Sequence, residues 1–312
     1  MSEHDTKRLT PDADGIAQAS AILRAGGLVA FPTETVYGLG ADACNGEAVA
    51  RVFQAKGRPS FNPLIVHVSD MEMAERFGVL TNAARDLVED GWPDALSIVV
   101  PLRPDTGLSP LVTAGLDSVA LRVPNAPLAL QLLRAFDGPV AAPSANPSGR
   151  ISPTTAAHVL SGLDGKIDAV IDGGATPAGL ESTIIGFLED RPRLLREGAY
   201  VPAEDLQPET GFETAPRAPG QLASHYAPKA AVRLDATEAD AGEFLIGFGP
   251  VAGDITLSAT GDLVEAAANL YAALHEADSR GVTRLAMAPI PDVGLGRAIN
   301  DRLRRAAASR DD

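Results

Sequence analysis

Short apolar runs alternate with amphipathic stretches along the first two thirds of the chain. The runs predict strands at 28–31, 64–68, 96–101, 119–123, 140–142, 169–171 and 183–188. The stretches between them have apolar positions at helical spacing and predict helices at 14–24, 47–55, 82–90, 128–136 and 154–160, the last with Pro153 in its first turn. This alternation favours an α/β fold with a mixed sheet.

The pattern changes after Gly198. Prolines at 202, 208, 216, 219 and 228 interrupt residues 201–229, which have few periodic apolar positions and read as an extended linker. Beyond it, strands at 243–248 and 284–290 flank a helix at 263–277, and a last helix follows at 297–308. We therefore expect a first domain at 1–203, a linker at 204–229 and a smaller α/β domain at 230–312.

Composition limits the class of protein. The 312 residues can form two cores, and contents of 45% hydrophobic and 21% charged residues are typical of a soluble globular protein. No apolar run approaches the roughly 20 residues that span a bilayer, and the polar N-terminus lacks a secretory signal, so we expect a cytoplasmic location. The single cysteine, Cys44, excludes an internal disulfide and a cysteine zinc finger.

The net charge of −15 makes a stable nucleic-acid complex a poor expectation, because contacts to phosphates dominate such binding. Three proline- and glycine-rich segments instead suit a polyphosphate and a small polar substrate. They are Phe31-Pro-Thr-Glu-Thr-Val-Tyr-Gly-Leu-Gly40, Lys56-Gly-Arg-Pro-Ser-Phe-Asn-Pro63 and Ala142-Pro-Ser-Ala-Asn-Pro147. There is no Walker-type loop, and Tyr37-Gly-Leu-Gly40 reads as a bendable turn whose Gly-x-Gly lacks the third glycine of a dinucleotide fingerprint. A nucleotide would therefore be held by side-chain charge.

Lys56 and Arg58 follow a predicted helix. They fit a solvated turn, where basic residues favour a helix C-terminus. They also fit a phosphate site, with the lysine as a point charge, the arginine as a planar fork and Asn62 as a further donor.

Ser144 and Asn146 follow a short strand. An Asx-type turn would explain them, but the carboxyl ends of strands in open α/β sheets are also where ligands bind. Ser152 extends this polar surface. Thr33 and Thr35 at the end of the first strand are equally compatible with structure alone.

Several further residues have two interpretations. His67 lies in an apolar strand, where a satisfied core histidine is the simpler interpretation. Arg122 ends an apolar strand and needs a partner, which a substrate carboxylate would provide. Glu181-Ser-Thr183 could be only a polar turn, whereas the linker pair His225-Tyr226 is hard to explain as solvated filler.

Taken together, these segments resemble the threonylcarbamoyl-AMP synthase family in its two-domain Sua5 form, which is related to the single-domain YrdC proteins. The matches are Pro32-Thr-Glu-Thr-Val-Tyr-Gly-Leu-Gly-Ala41, Lys56-Gly-Arg58, Asn62-Pro-Leu-Ile-Val-His67, Pro143-Ser-Ala-Asn146, Glu181-Ser-Thr-Ile-Ile185, Leu195-Arg-Glu-Gly198, His225-Tyr-Ala-Pro228 and Gly294-Leu-Gly-Arg-Ala-Ile-Asn-Asp-Arg302. The resemblance spans nearly the whole chain. It departs at Trp92-Pro-Asp-Ala-Leu-Ser97 and Asn125-Ala-Pro127.

The resemblance implies a YrdC-like twisted mixed sheet with an open concave groove, followed by a Rossmann-like domain. It implies a catalytic tetrad of Lys56, Arg58, Ser144 and Asn146. The same four residues, with Asn62, Ser118, Ser152, Arg196 and Tyr226, are expected to bind ATP. Thr33, Thr35, His67, Arg122, Ala142 and Ser182 are expected to bind L-threonine, with the choice between the two threonines left open.

The implied reaction joins L-threonine, bicarbonate or CO2 and ATP into threonylcarbamoyl-AMP and diphosphate, for N6-threonylcarbamoylation of tRNA adenosine. Mg2+ is expected with ATP, and its ligands are unknown. The expected partner is a tRNA-transfer complex that binds only transiently. We expect no membrane contact, and the protein itself to be a monomer or a homodimer. The linker could act as a lid. Alternatives are a non-catalytic RNA-binding module and a hydrogenase-maturation carbamoyltransferase, although the latter carries cysteine zinc fingers.

Overall fold

A computed structural model describes residues 5–189, 191–203, 206, 218–220 and 225–308. The first part contains β1 (Lys7–Leu9), α1 (Ala13–Arg24), β2 (Val29–Pro32), β3 (Tyr37–Asp42), α2 (Gly46–Lys56), β4 (Ile65–His67), α3 (Met71–Phe77), α4 (Asn82–Gly91), β5 (Leu96–Pro101), α5 (Pro110–Thr113), β6 (Ser118–Arg122), α6 (Pro127–Phe136), β7 (Val140–Ala141), α7 (Ala156–Leu163), β8 (Ala169–Ile171), β9 (Thr183–Gly186) and β10 (Arg193–Arg196). Their strands form one mixed sheet in the order β1-β8-β2-β3-β7-β4-β6-β5-β9-β10.

Helix boundaries follow the capping chemistry of the sequence. Asp12 and Asn45 cap α1 and α2 by accepting backbone N–H groups of the first turn, and Thr81 does the same for α4. Helix α2 ends at Gly57, whose φ of +59° is the left-handed conformation that glycine adopts readily. This ending brings Lys56 and Arg58 to the start of the loop before β4.

The two faces of the central strands have different roles. Val66 and Leu121 point into the main core, beneath the helices. The alternate residues of the same strands, including His67 and Arg122, face the opposite side, where the register pairs these two directly. Because side chains alternate along a strand, one short stretch of sequence supplies both core and site.

The second part is a smaller parallel sheet with two helices packed on it. It contains β11 (Ala231–Arg233), β12 (Phe244–Gly247), β13 (Ile255–Thr256), α8 (Leu263–Ser279), β14 (Arg284–Met287) and α9 (Leu295–Ala307), with strand order β11-β14-β12-β13. All its strand pairs are parallel, as expected for a Rossmann-like unit. The predicted α/β class is confirmed for both parts.

The two parts share an apolar core. Val36, Ile151 and Leu180 of the first part cluster with Leu270 of α8 and Ile299 of α9. Gly179 lies so close to α8 that a Cβ there would be 2.5 Å from the carbonyl oxygen of Ala267. This close packing fixes α8 and α9 beside the polar face of the large sheet.

Some expectations were wrong in detail. The helix expected at 154–160 begins at Ala156, because Thr155 is its N-cap, so Pro153 precedes the helix. Residues 38–40 lie in strand β3, not in a turn. A Cβ on Gly40 would lie 2.8 Å from the ring of Phe31, so glycine here makes room for a cross-strand aromatic ring.

Other elements were not predicted because they are short. They are β1, α3, α5, β10, β11 and β13, of two to seven residues. Much of the predicted linker, 204–205, 207–217 and 221–224, lies outside the described residues. Within the part that the structure describes, no helix has the length and apolarity needed to cross a bilayer.

We expect Leu121→Ala to lower the free energy of unfolding by about 2–5 kcal/mol, because removing a fully buried side chain from β6 leaves a cavity. Denaturant unfolding followed by circular dichroism measures it. Val264→Ala, at a position 65% exposed on α8, is the control and should change stability by less than about 0.5 kcal/mol. Equal effects of the two substitutions would contradict this packing.

Candidate functional site

A small cavity of about 50 Å³, partly open to solvent, lies on the polar face of the large sheet. Its lining residues come from the first part of the molecule and from the linker. They are Thr33, Thr35, Val36, Gly38, Arg58, Ile65, His67, Arg122, Ala142, Pro143, Ser144, Glu181, Ser182, Arg196, Pro219, Gly220, His225 and Tyr226. The charged lining residues are three arginines (Arg58, Arg122 and Arg196) and one glutamate (Glu181), so the net charge of the lining is positive.

Lys56 and Arg58 are buried, so the solvated-turn interpretation was wrong. The Lys56 Nζ donates to the carbonyl oxygens of Ser144 and Asn146, and thereby holds the third segment against the end of α2. Burial, together with the charge of Arg58, lowers the pKa of Lys56 well below its ordinary value.

Arg58 extends from the same turn into the cavity. Its Nε and Nη2 donate to the carbonyl oxygens of Asn62 and Pro63, at 3.2 and 2.8 Å. Burial lowers the pKa of Arg58 to about 10, so the guanidinium stays charged near neutral pH. Its protein partners are neutral carbonyls, and the charge remains available to an anion.

Ser144 is positioned by backbone pairing with β3. Leu39 N donates to the carbonyl oxygen of Pro143, and Ala145 N donates to that of Tyr37. The Asn146 side chain turns toward its own loop, where its Nδ2 donates to Pro147 and Arg150. Ser144 therefore lines the cavity, whereas Asn146 lies behind it.

Arg122 has a protein partner that the sequence did not indicate. Its Nη2 donates to Glu34 Oε1 at 2.6 Å, and its Nη1 donates to Thr35 Oγ1 at 3.1 Å. Both members of this ion pair are nearly inaccessible to solvent, and breaking such a pair typically costs about 3–5 kcal/mol. The two neighbouring threonine hydroxyls are 2.7 Å apart.

Arg196 crosses from β10 to the start of β9. Its guanidinium donates to the Ser182 carbonyl oxygen from Nε and Nη2, to the Ser182 hydroxyl, and to the Pro219 carbonyl oxygen of the linker. The approach is close: a Cβ on Gly198 would lie 2.3 Å from backbone atoms of Ser182 and Thr183. Glycine at 198 is therefore a packing requirement of this wall.

Glu181 is the centre of a buried network. Its carboxylate accepts hydrogen bonds from the Ser152 hydroxyl, the Tyr271 hydroxyl and the Arg302 Nε. Although burial opposes it, the nearby arginines and these donors lower its pKa to about 2. The polar-turn interpretation of 181–183 was wrong.

The linker covers the cavity. His225 and Tyr226 are both buried, with ring centroids 4.1 Å apart, so the expectation that this pair is not solvated filler is confirmed. Tyr226 has a φ of +61°, a conformation that non-glycine residues adopt only when neighbours enforce it. Arg302 stacks on its ring, 4.8 Å from the centroid.

Several buried polar atoms around the cavity have no hydrogen-bond partner among the residues that the structure describes. They are Glu34 Oε2, Asn62 Nδ2 and Oδ1, His67 Nδ1, Arg122 Nε, Asn146 Oδ1, His225 Nδ1 and Tyr226 Oη. Buried polar groups are normally paired, so such a concentration indicates a bound polar ligand. His67 is therefore not the satisfied core histidine that the strand pattern favours.

The structure brings together most of the residues expected from the sequence. Thr33, Thr35, Arg58, His67, Arg122, Ala142, Ser144, Ser182, Arg196 and Tyr226 line one cavity. Four expected residues are buried but do not line the cavity: Lys56, Asn62, Asn146 and Ser152. Ser118 is the first residue of β6, two residues before Ala120, which pairs with the lining residue Ile65. Glu34, Tyr271 and Arg302 were missed as site residues, although Glu34 and Arg302 stand within matched motifs.

The fold and the cavity together define a two-part α/β protein with a pocket lined by three arginines. A family model described as telomere recombination, for Sua5, YciO and YrdC proteins, matches residues 21–198, and one described as the threonylcarbamoyl-AMP synthase C-terminal domain matches residues 193–308. The chain belongs to the Sua5/YrdC family, in its two-domain form.

Named relatives agree with this assignment. The chain is 41% identical to a threonylcarbamoyl-AMP synthase of Bacillus subtilis, over 98% of this chain and 96% of the relative. The crystal structure of Pyrococcus abyssi Sua5 complexed with L-threonine has a TM-score of 0.89 and 36% identity, and covers 97% of both chains. A shorter Mycobacterium tuberculosis protein, named as a putative threonylcarbamoyl-AMP synthase, is 37% identical over 64% of this chain and 91% of its own length.

The buried histidines predict acid sensitivity. Burial lowers the pKa of His67 and His225 to about 3, and that of the stacked pair His158 and His275 to about 4. Unfolded histidines take up protons below pH 6.5, whereas these take them up only near pH 3–4. The free energy of unfolding should therefore fall as the pH falls from 6.5 towards 4.

Denaturant unfolding at several pH values measures this dependence. His158→Gln should reduce proton uptake on unfolding near pH 5 by about one, because it removes one of these histidines. Stability that does not change between pH 6.5 and 5 in the parent chain would contradict the burial of these rings.

Proposed function

We propose that this chain is a threonylcarbamoyl-AMP synthase, which joins L-threonine, bicarbonate or CO2 and ATP and releases diphosphate. The observation that carries the proposal is a cavity lined by three guanidinium groups, two of which, Arg58 and Arg196, donate to neutral carbonyls and a hydroxyl. The product would supply the N6-threonylcarbamoyl group of tRNA adenosine.

The chemistry needs a site of this charge. A threonine carbamate is an anion, and its oxygen must attack the α-phosphate of a highly anionic nucleotide. Preorganised cations reduce that repulsion and stabilise the leaving diphosphate. Positioning and charge supply most of the catalysis in such transfers, so no protein nucleophile is required.

The nucleotide side of the cavity is assigned to the basic loop. Arg58 is the cation that lines the cavity there, and Ser144 is a lining residue of the same cavity. Lys56 has two of its three N–H donors on carbonyl oxygens, and the third is available to a phosphate. Asn62, Asn146, Ser118, Ser152, Arg196 and Tyr226 remain proposed nucleotide contacts.

The threonine side is assigned to the region of Arg122. Thr33 Oγ1 is occupied within its own turn, where it donates to Val36 O at 2.8 Å and accepts from Thr35 N at 3.1 Å. Thr35 Oγ1 instead lies beside Arg122, the proposed partner of the substrate carboxylate. We therefore assign the substrate contact to Thr35, with His67, Ala142 and Ser182 completing the wall.

The proposed site also has to exclude water, because an acyl-type adenylate is hydrolysed easily. Four linker residues line the cavity: Pro219, Gly220, His225 and Tyr226, of which Tyr226 is buried there. A linker segment in this position serves as a lid that opens for substrates and product.

Mg2+ is proposed to enter with ATP. Among the described residues, no three His, Cys, Asp or Glu side chains cluster as metal ligands. Mg2+ in nucleotide sites is typically held by substrate phosphates and water with one or two protein oxygens. For an ion carried by the triphosphate, the hydroxyl of the lining residue Ser144 is the protein oxygen to test. Bound Mg2+ would add charge neutralisation at the phosphates.

We also propose a cytoplasmic enzyme, monomeric or homodimeric, that passes its product to a separate tRNA-transfer complex without a stable nucleic-acid contact of its own. The decisive experiment is diphosphate release from ATP, with and without threonine and bicarbonate, together with chromatographic detection of the adenylate. Release that does not depend on threonine, or a gel shift of tRNA at physiological salt without turnover, would overturn the proposal.

Arg58→Gln should lower kcat/KM for diphosphate release by about a hundredfold or more, because it removes a preorganised cation from the nucleotide side. Arg51→Gln is the matched control, since Arg51 lies on α2, the helix just before Arg58, but is exposed and paired with Asp168. Steady-state kinetics with both variants measure the difference. Near-parental turnover of folded Arg58→Gln would remove the charge argument.

Arg122→Lys should raise the KM for threonine about tenfold to a hundredfold and change the KM for ATP much less. A lysine keeps the charge but loses the planar fork that binds a carboxylate through two bonds. Arg134→Lys, at an exposed position on α6, is the control. A defect confined to ATP in substrate titrations would reassign Arg122 to the nucleotide.

A further inference from the structure

A second cavity, of about 390 Å³, lies between α7 of the first part and α8 of the second part. It shares no lining residue with the first cavity, and the proposed reaction uses none of its residues except Asn146. Its volume is within the range of roughly 300–1,000 Å³ that is typical of small-molecule sites. The chemistry of its lining therefore decides which ligand it can hold.

Two exposed cations, Arg150 and Lys229, line this second cavity. Arg150 pairs with Ala227 in a parallel bridge, and Lys229 follows Ala227 by two residues, so the backbone brings both cations to one place. Neither side chain forms an ion pair among the residues that the structure describes. Both charges are therefore available to a ligand.

Two carboxylates also line the second cavity, but each is already engaged. Glu276 Oε1 accepts from Arg280 Nε at 2.8 Å, on the same helix. Asp278 Oδ1 accepts from the backbone N–H of Lys229 at 2.8 Å, which also fixes the position of that lysine. The charges that remain unmatched are those of Arg150 and the Lys229 ammonium.

A stacked pair of imidazoles, His158 and His275, forms part of the same lining, with ring centroids 3.9 Å apart. Burial lowers the pKa of both rings to about 4, so both are neutral near pH 7. The Thr154 N–H donates to His158 Nδ1 at 3.4 Å, which places the ring proton on Nε2. That Nε2–H has no partner in the described part of the chain, and it adds a third donor to the cavity.

This set of donors matches a phosphate group. A guanidinium offers a planar fork to two phosphate oxygens, and an ammonium offers a point charge. The His158 N–H is an uncharged donor beside them. His275 Nε2 donates to the Ser152 carbonyl oxygen at 3.1 Å, and this bond holds the stacked rings in place.

We propose that the second cavity is an anion site that binds a small phosphate-bearing molecule through Arg150, Lys229 and the Nε2–H of His158. The site goes beyond the proposed function and does not depend on it. Free diphosphate and the phosphate of a nucleotide share the required chemistry. Asn146 Nδ2 donates to the Arg150 carbonyl oxygen at 2.9 Å, so the loop that carries Arg150 also carries a residue of the proposed nucleotide side.

Imidazole signals in nitrogen-15 NMR spectra provide the test, because the chain has only five histidines. Diphosphate is titrated into the full chain near neutral pH, at an ionic strength held constant with sodium chloride. The signals of His158 and His275, assigned by their loss in His158→Gln and His275→Gln, should shift and reach saturation. No shift of either signal, or the same shifts with sodium chloride alone, would overturn the proposal.

Arg150→Gln and Lys229→Gln should each raise the Kd for diphosphate about fivefold to tenfold, because each removes a charge-assisted hydrogen bond. Arg103→Gln is the control, since Arg103 is exposed and lines neither cavity. It should leave the Kd unchanged. All three positions are exposed, so folding is retained, and circular dichroism checks it. A Kd that is the same in the parent and in both cavity variants would contradict the site.

Two further probes, adenosine monophosphate and adenosine, distinguish the sources of the phosphate. Tighter binding of the monophosphate than of diphosphate would identify a nucleotide as the ligand, and the reverse order would identify a free anion; both results support phosphate recognition. Shifts as large with adenosine as with its monophosphate would overturn it. His67 and His225 line the first cavity, so their signals report binding there separately. The result at the second cavity stands whether or not the chain makes an adenylate.

Discussion

The burial of several cations in one small region is the constraint on which the rest of the structure depends. Lys56, Arg58 and Arg196 are each buried, and each donates to backbone carbonyl oxygens. Carbonyl dipoles solvate a cation without cancelling its charge, whereas a carboxylate would cancel it. The region therefore keeps a positive potential in a chain whose net charge is −15.

The sequence predicted most of the elements that are long enough to show periodicity. Helices α1, α2 and α8 and the strand at 96–101 lie within a few residues of their expected bounds. Elements of a few residues were missed because so few side chains cannot show a helical or strand periodicity of apolar positions. Residues 38–40 were misread because glycine usually signals a turn. Here the neighbouring Phe31 ring, which only the fold reveals, requires it.

The candidate site was predictable where one segment carries the signal and unpredictable where the partner is distant. The three loop segments identified the cations and hydroxyls. The pairing of Arg122 with Glu34, and of Glu181 with Tyr271 and Arg302, joins residues about 90 to 120 positions apart. No local pattern encodes such pairs. The consequence for Glu181 is large, because the second domain decides its environment.

The Lys56 ammonium holds the segment from Ser144 to Asn146 through backbone oxygens alone. Every amino acid presents the same carbonyl, so the contact with Lys56 does not depend on the side chains of this segment. The side chain at 144 can therefore be exchanged while the path of the chain beneath it is retained. Asn146 differs, because its side chain also holds the loop through its bonds to Pro147 and Arg150.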